Sequence, residues 1–226
     1  MTIAASWAAV RARVAAACER AGRDPASVTI VAVSKTHPAA AVREAAAAGA
    51  TDFGENYAQE LAAKRAEVGE GVRWHFIGRL QRNKAKLVAG QVALVHAVDS
   101  VELATELGKR AAPTVQPILL AVNVAGEDTK GGVAPAAAEA LARAIVAVPG
   151  VRLDGLMTMP PPDVEPVPHF RALADLRARL ADALGAPLPV LSMGMSGDYE
   201  AAIACGSTHV RIGTAIFGAR QTADVA

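Results

Sequence analysis

Short apolar runs alternate with alanine-rich stretches along nearly the whole chain, and this alternation limits the available folds more than any other feature. The runs are 28–34, 52–55, 73–77, 94–98, 117–124, 153–159, 190–193 and 209–212. Between them lie helix-compatible stretches at about 39–48, 57–68, 83–89, 101–110, 135–147, 167–184 and 199–205, and another at 3–21 precedes the first run. A run such as VTIVAV, rich in β-branched residues, suits a strand buried on both faces of a parallel sheet. Strands separated by helices are parallel and joined by right-handed crossovers. Eight such units in about 200 residues predict a closed (β/α)8 barrel with an extra N-terminal helix, one domain over 1–226. An open doubly wound sheet is the alternative, and the weak second run (DFGE) and the short stretch 83–89 are where the count could fail.

Composition agrees with a large core and narrows the partners. Of 226 residues, 52% are hydrophobic, and the formal net charge of +1 gives no global attraction to nucleic acid or an anionic membrane. Cys18 and Cys205 stand in unrelated contexts, without metal-ligand spacing, which fits a reducing cytoplasm. The N-terminal stretch is interrupted by Arg11, Arg13, Glu19 and Arg20 and reads as an amphipathic helix rather than a signal peptide. No window approaches the roughly 20 uninterrupted apolar residues of a membrane span. The proline cluster after Met159 reads as a loop over the barrel mouth.

In such a barrel, ligands bind at the carboxyl ends of the strands, and the loops after strands 7 and 8 often take a phosphate. Lys35 stands where the first strand ends. After the seventh run come Gly194, Ser196 and Gly197, and after the eighth come Gly213 and Thr214, giving two adjacent loops of small and hydroxyl-bearing residues at helix starts. Each alone could be a plain helix cap. Arg211 precedes Gly213 by two residues and shares its face of the strand, paired either with a carboxylate or with a ligand. Strands 1 and 8 are neighbours in a closed barrel, so Lys35, Arg211, Gly213 and Thr214 converge. An amine, a guanidinium and a phosphate cradle suggest a phosphorylated carbonyl compound. A desolvated lysine beside a cation would have its pKa lowered, freeing the amine for Schiff-base formation.

Other polar residues carry blander expectations. Lys130, in GEDTKGG, lacks the order of a phosphate-binding P-loop and reads as part of a mobile loop. Arg79, Arg82, Lys84 and Lys86 read as a solvated helix face. Asn56 could hydrogen-bond a ligand, His75 reads as a satisfied strand histidine, and Tyr57 as packing.

The segments VAVSKTHP, DFGENYAQE, WHFIGRLQRNK, GLMTM and LSMGMSGDYEAAIACGSTHVRIGTAIFG, in this order and spacing, resemble the pyridoxal 5′-phosphate (PLP) homeostasis proteins, the YggS or PROSC family. The match covers about 28–218, and that family is similar to the barrel domain of alanine racemase. The resemblance implies PLP held as a covalent aldimine on Lys35, phosphate contacts from Ser196, Gly213 and Thr214, Arg211 at the pyridine nitrogen and Asn56 beside the ring. Thr158 and Met159 fall in the GLMTM motif and are expected near the pocket. It also implies a cytoplasmic, non-catalytic protein of vitamin B6 homeostasis whose partners are PLP and PLP-dependent apoenzymes, a monomer or weak dimer. An arginine at the pyridine nitrogen disfavours its protonation and weakens the electron sink. The rival is a PLP-dependent alanine racemase, but the opposite base of that family comes from a second domain for which eight residues after Gly218 leave no room. A Schiff-base aldolase acting on a phosphosugar shares the lysine and phosphate site and would carry no coloured cofactor.

Overall fold

The computed structural model describes residues 1–126, 131–161 and 163–219. The eight runs form strands β1 (Thr29–Val33), β2 (Asp52–Glu55), β3 (Arg73–Phe76), β4 (Leu94–Val98), β5 (Gln116–Ala121), β6 (Val151–Met157), β7 (Val190–Ser192) and β8 (His209–Ile212). All pair in parallel, in chain order, and β8 closes onto β1 through Thr29↔His209 and Val31↔Arg211. The sheet is therefore the closed barrel, not the open alternative. The helices are α1 (Ile3–Arg20), α2 (Ala39–Ala47), α3 (Ala58–Val68), α4 (Val101–Ala111), α5 (Ala138–Val146), α6 (Pro166–Leu184), α7 (Tyr199–Ala204) and α8 (Thr214–Phe217).

Three expectations shift. The stretch 83–89 is not an α-helix but a 3₁₀ turn, Arg82–Leu87. The fifth strand stops at Ala121 rather than 124, because the chain beyond it bonds to Val133, with the Asn123 N–H donating to the Val133 carbonyl. The sixth strand starts at Val151, two residues early, where β5 and β6 pair from Gln116↔Val151.

Alternation along the strands sorts two layers. Phe53, Trp74, Phe76, Val95, Ile118, Leu120, Val210 and Ile212 join the apolar core between strands and helices. The opposite positions face the interior, and several there are polar and buried: Asp52, His75, His96, Ser192 and Arg211. A (β/α)8 interior is usually filled by Val, Ile and Leu, so each of these groups must find a hydrogen-bond partner. Outside the barrel, α8 is a four-residue stub, and α1 packs in its place against α2, α7 and α8. Its stripe of Trp7, Val10, Val14, Ala17 and Cys18 recurs at helical spacing and is buried. Each fully buried large apolar side chain contributes about 1.5–3 kcal/mol, and the Thr2 hydroxyl caps the helix by accepting from the Ala5 N–H.

Candidate functional site

Val33, the last residue of β1, faces a cavity of about 380 Å³ at the carboxyl-end mouth of the barrel. Strand alternation then turns Ser34 outward toward α3 and brings Lys35, half-buried, back to the cavity wall. The next residue, Thr36, is in the left-handed region at φ 65°. For a residue with a Cβ this costs about 1–2 kcal/mol, so the turn needs outside support. Support comes from α3. The Thr36 N–H donates to Glu60 Oε1 at 2.6 Å, and Lys64 Nζ donates to the Ser34 carbonyl at 2.6 Å, Glu55 Oε1 at 2.6 Å and Glu60 Oε1 at 2.7 Å. Ser34 Oγ donates to Glu55 Oε1 at 2.7 Å. Burial raises the Glu55 carboxyl above its ordinary pKa, against the pull of its bonds from Lys64 and Ser34.

The loops after β7 and β8 complete the opposite wall. Gly194 has φ 94°, and a Cβ there would come 2.6 Å from the Ala202 Cβ, so only glycine lets this loop pack on α7. The Met195 N–H donates to Asp198 Oδ1 at 2.6 Å. Ser196 does not cap its own helix: its Oγ accepts, at 3.4 Å, from the Ala215 N–H in the first turn of α8 and so links the two loops. Gly213 and Thr214 lie beside it on the cavity wall.

Arg211 is 5% exposed and lines the same cavity. Its partners exclude the ion pair among the described residues. Nη1 donates to Ser192 Oγ at 2.6 Å and Nη2 to the Thr158 carbonyl at 2.9 Å, both neutral oxygens, and among the described residues no carboxylate pairs with it. Burial pulls its pKa down to about 10, against the charge of Asp198. Thr158 thus acts through its carbonyl, while its hydroxyl donates to the Val122 carbonyl at 2.9 Å. Met159 lines the cavity.

Asn56, just after β2, presents an amide whose Oδ1 is buried without a hydrogen-bond partner. Its backbone is fixed by Gly78 after β3, where a Cβ would sit 2.2 Å from the Asn56 carbonyl oxygen. The structure therefore brings Lys35, Asn56, Ser196, Arg211, Gly213 and Thr214 to one cavity.

His75 is a satisfied interior histidine, bonded to His96 and Asp52. Tyr57 is not packed: it is 57% exposed at the start of α3. Arg79 is no part of a helix face, since it precedes the 3₁₀ turn and its exposed side chain borders the cavity. Arg82 and Lys86 are exposed as expected. Lys130 lies outside the described residues. His37 and Met195 also line the wall, and neither was expected there. His37 stacks on Phe217 with centroids 5.3 Å apart, and burial, then the Lys64 charge, lowers its pKa. Its spacing of two from Lys35 was the available signal.

An orphaned amide oxygen, a cationic donor, an amine and two hydroxyl-bearing helix starts fit a ligand carrying a carbonyl, a phosphate and a ring heteroatom. Residues 6–221 match the alanine racemase N-terminal domain family. The pyridoxal phosphate homeostasis protein of Pseudomonas aeruginosa is 50% identical over 223 residues, covering 97% of this chain and 96% of that protein. Its Escherichia coli K12 counterpart is 44% identical over 232 residues, with 97% of each chain covered. The solved structure of PipY from Synechococcus elongatus with PLP bound superposes with a TM-score of 0.84 at 35% identity, over 96% of this chain and 100% of that one. Alanine racemase from Corynebacterium glutamicum, at 21% identity and TM-score 0.69 over 99% of this chain and 62% of that one, shares the fold.

Proposed function

Since the chain belongs to the alanine racemase N-terminal-domain family and stands among the pyridoxal phosphate homeostasis proteins, we propose that it binds PLP and serves intracellular PLP homeostasis. The observation that carries this reading is the meeting of Lys35, Arg211 and the Ser196 and Gly213–Thr214 loops at one cavity. Lys35 Nζ would hold the cofactor covalently through its aldehyde carbon, with loss of one water. Ser196, Gly213 and Thr214 take the phosphate through hydroxyls and backbone N–H groups. Arg211 would present N–H donors to the pyridine nitrogen, and the Asn56 amide, whose Oδ1 has no partner among the described residues, would lie beside the ring.

Bound PLP supplies an electron sink that is strongest when its ring nitrogen is protonated. Arg211 can only donate at that nitrogen, so it opposes this protonation and favours holding the cofactor over turning substrate over. Racemisation also needs a proton-exchanging group on each face of the substrate carbon. Among the described residues, the histidine on the cavity wall is His37, two residues from Lys35 on the same loop. The proposal is a non-catalytic carrier, one domain over 1–226, cytoplasmic, a monomer or weak dimer, that passes PLP to PLP-dependent apoenzymes. No helix among the described residues is long and apolar enough to cross a membrane.

The test is the absorbance of the purified protein. A visible band that borohydride removes, and that Lys35→Ala lacks, is expected. A protein that stays colourless with added PLP overturns the reading. D-Alanine formed from L-alanine by the wild type, and lost in Lys35→Ala, overturns its non-catalytic half.

A further inference from the structure

Below the cavity, a single file of hydrogen bonds crosses the barrel interior. Arg211 Nη1 donates to Ser192 Oγ at 2.6 Å, and Ser192 Oγ lies 2.9 Å from His96 Nδ1. His96 Nε2 lies 2.9 Å from His75 Nδ1, and His75 Nε2 lies 3.0 Å from Asp52 Oδ1. The residues come from β8, β7, β4, β3 and β2, and since β7 and β4 are not neighbours, the Ser192–His96 bond spans the barrel. Asp52 ends the file, also accepting from Arg73 at 2.9 and 2.7 Å and from the Thr51 hydroxyl at 2.6 Å.

The two ends dictate the direction of every proton between them. A guanidinium only donates and a carboxylate only accepts. With Asp52 accepting, His75 carries its proton on Nε2 and offers the Nδ1 lone pair. His96 then donates from Nε2 and offers Nδ1, to which the Ser192 hydroxyl donates while its oxygen accepts from Arg211. Only this assignment satisfies every link while keeping both imidazoles neutral. The reverse direction needs His75 protonated on both nitrogens, a second interior cation near Arg211. Burial is the largest cause that holds His96 well below the ordinary histidine range, with the Arg211 charge acting the same way. The remaining neighbour is His209 on β8, whose ring centroid is 6.0 Å from that of His75 and 6.1 Å from that of His96, and whose own Nδ1 lies 3.0 Å from the Thr208 hydroxyl.

We propose that Ser192, His96, His75 and Asp52 are positioning residues for Arg211: the file of aligned bonds turns a lone pair toward the guanidinium and ends on the Asp52 carboxylate, whereas no carboxylate among the described residues bonds to Arg211 directly. Buried hydrogen bonds in series polarise one another, so the carboxylate at the far end steadies the cation at the cavity floor. This deepens the cofactor reading, because Arg211 is the group assigned to the ring nitrogen. Loosening the file frees Arg211 to move from that nitrogen.

Two measurements test it. Imidazole ¹⁵N–¹H correlation spectra of the full chain without PLP are expected to show His96 and His75 neutral and protonated on Nε2 at pH 7. A His96 proton on Nδ1, or a cationic His75, overturns the proposal whether or not PLP binds. In the PLP-loaded protein, His96→Leu is expected to weaken PLP binding about tenfold and to move the pH at which the visible band titrates. His96→Asn, whose Oδ1 can accept from Ser192, is expected to recover most of the affinity. A folded His96→Leu with wild-type affinity and titration overturns the proposal. A wild type that takes up no PLP sinks the cofactor reading alone, leaving the tautomers to decide the file.

Discussion

Thr36 donates its backbone N–H to the Glu60 carboxylate across 2.6 Å, from a left-handed conformation at φ 65°. Helix α3 thereby holds the turn that carries Lys35. A hydrogen bond to a charged acceptor contributes about 1.5–3 kcal/mol, enough to offset the strain. Glu60→Ala is expected to lower the unfolding free energy by about 1–3 kcal/mol and to slow PLP uptake, because Lys35 loses its preset orientation. Glu60→Gln keeps an acceptor for Thr36 and falls between. Urea midpoints and the rate of band appearance measure both effects, and wild-type values for Glu60→Ala would show that the turn supports itself.

Lys64 is the buried cation joining Ser34, Glu55 and Glu60. Lys64→Met leaves Glu55, fully buried, without its counter-charge, a loss of about 3–5 kcal/mol. The Glu55 pKa is already raised above its ordinary 4.5, and the variant raises it further. A carboxyl raised on folding binds more protons folded than unfolded, so its stability contribution falls as pH rises above 4.5. The gap in urea midpoint between variant and wild type is therefore expected to widen from pH 4.5 to 7. A constant gap would mean that Glu55 stays ionised throughout.

The interior histidines make the fold acid-sensitive. Burial takes His209 from 6.5 down to about 4. A base lowered on folding takes up its proton first in the unfolded chain, so its contribution is complete above 6.5 and is lost as pH falls toward 4. His209 alone accounts for at most about 3 kcal/mol, less in practice because it keeps some solvent contact. Asp52 acts in the same direction lower down. Burial raises its pKa, but the bonds from His75, Arg73 and Thr51 prevail and hold it far below 3.8. Stability measured by urea unfolding is expected to decline from pH 6.5 to 4, and His209→Leu to flatten that decline. A flat wild-type profile would contradict the neutral interior.

Lys35, Ser196, Gly213 and Thr214 were legible because the barrel rule assigns ligands to strand ends, and strand ends can be read from short apolar runs. DFGE looked weak as a strand because Asp52 and Glu55 are charged; their partners, Arg73 and Lys64, lie on other elements. Arg79 was misread because a run of cations carries no mark of where a helix begins. The interior file was illegible for a simpler reason: Ser192 and His96 are 96 residues apart, on strands that meet only across the closed barrel.

Gly78 shows how a position without chemistry can control the site. A Cβ there would lie 2.2 Å from the Asn56 carbonyl oxygen and 2.7 Å from its Cα. These are backbone atoms, which cannot swing aside as a side-chain tip can, so Gly78→Ala must displace the segment that carries the Asn56 amide. Overpacking of this kind costs about 1–3 kcal/mol, and the displaced amide is expected to weaken PLP binding about tenfold. Lys35, on the loop after β1, should still be trapped by borohydride. A double-mutant cycle identifies the route, since effects that share one partner do not add. If Gly78 acts through Asn56, then Asn56→Ala combined with Gly78→Ala loses no more affinity than Asn56→Ala alone. Additive losses in fluorescence titration would place the effect of Gly78 elsewhere in the cavity wall.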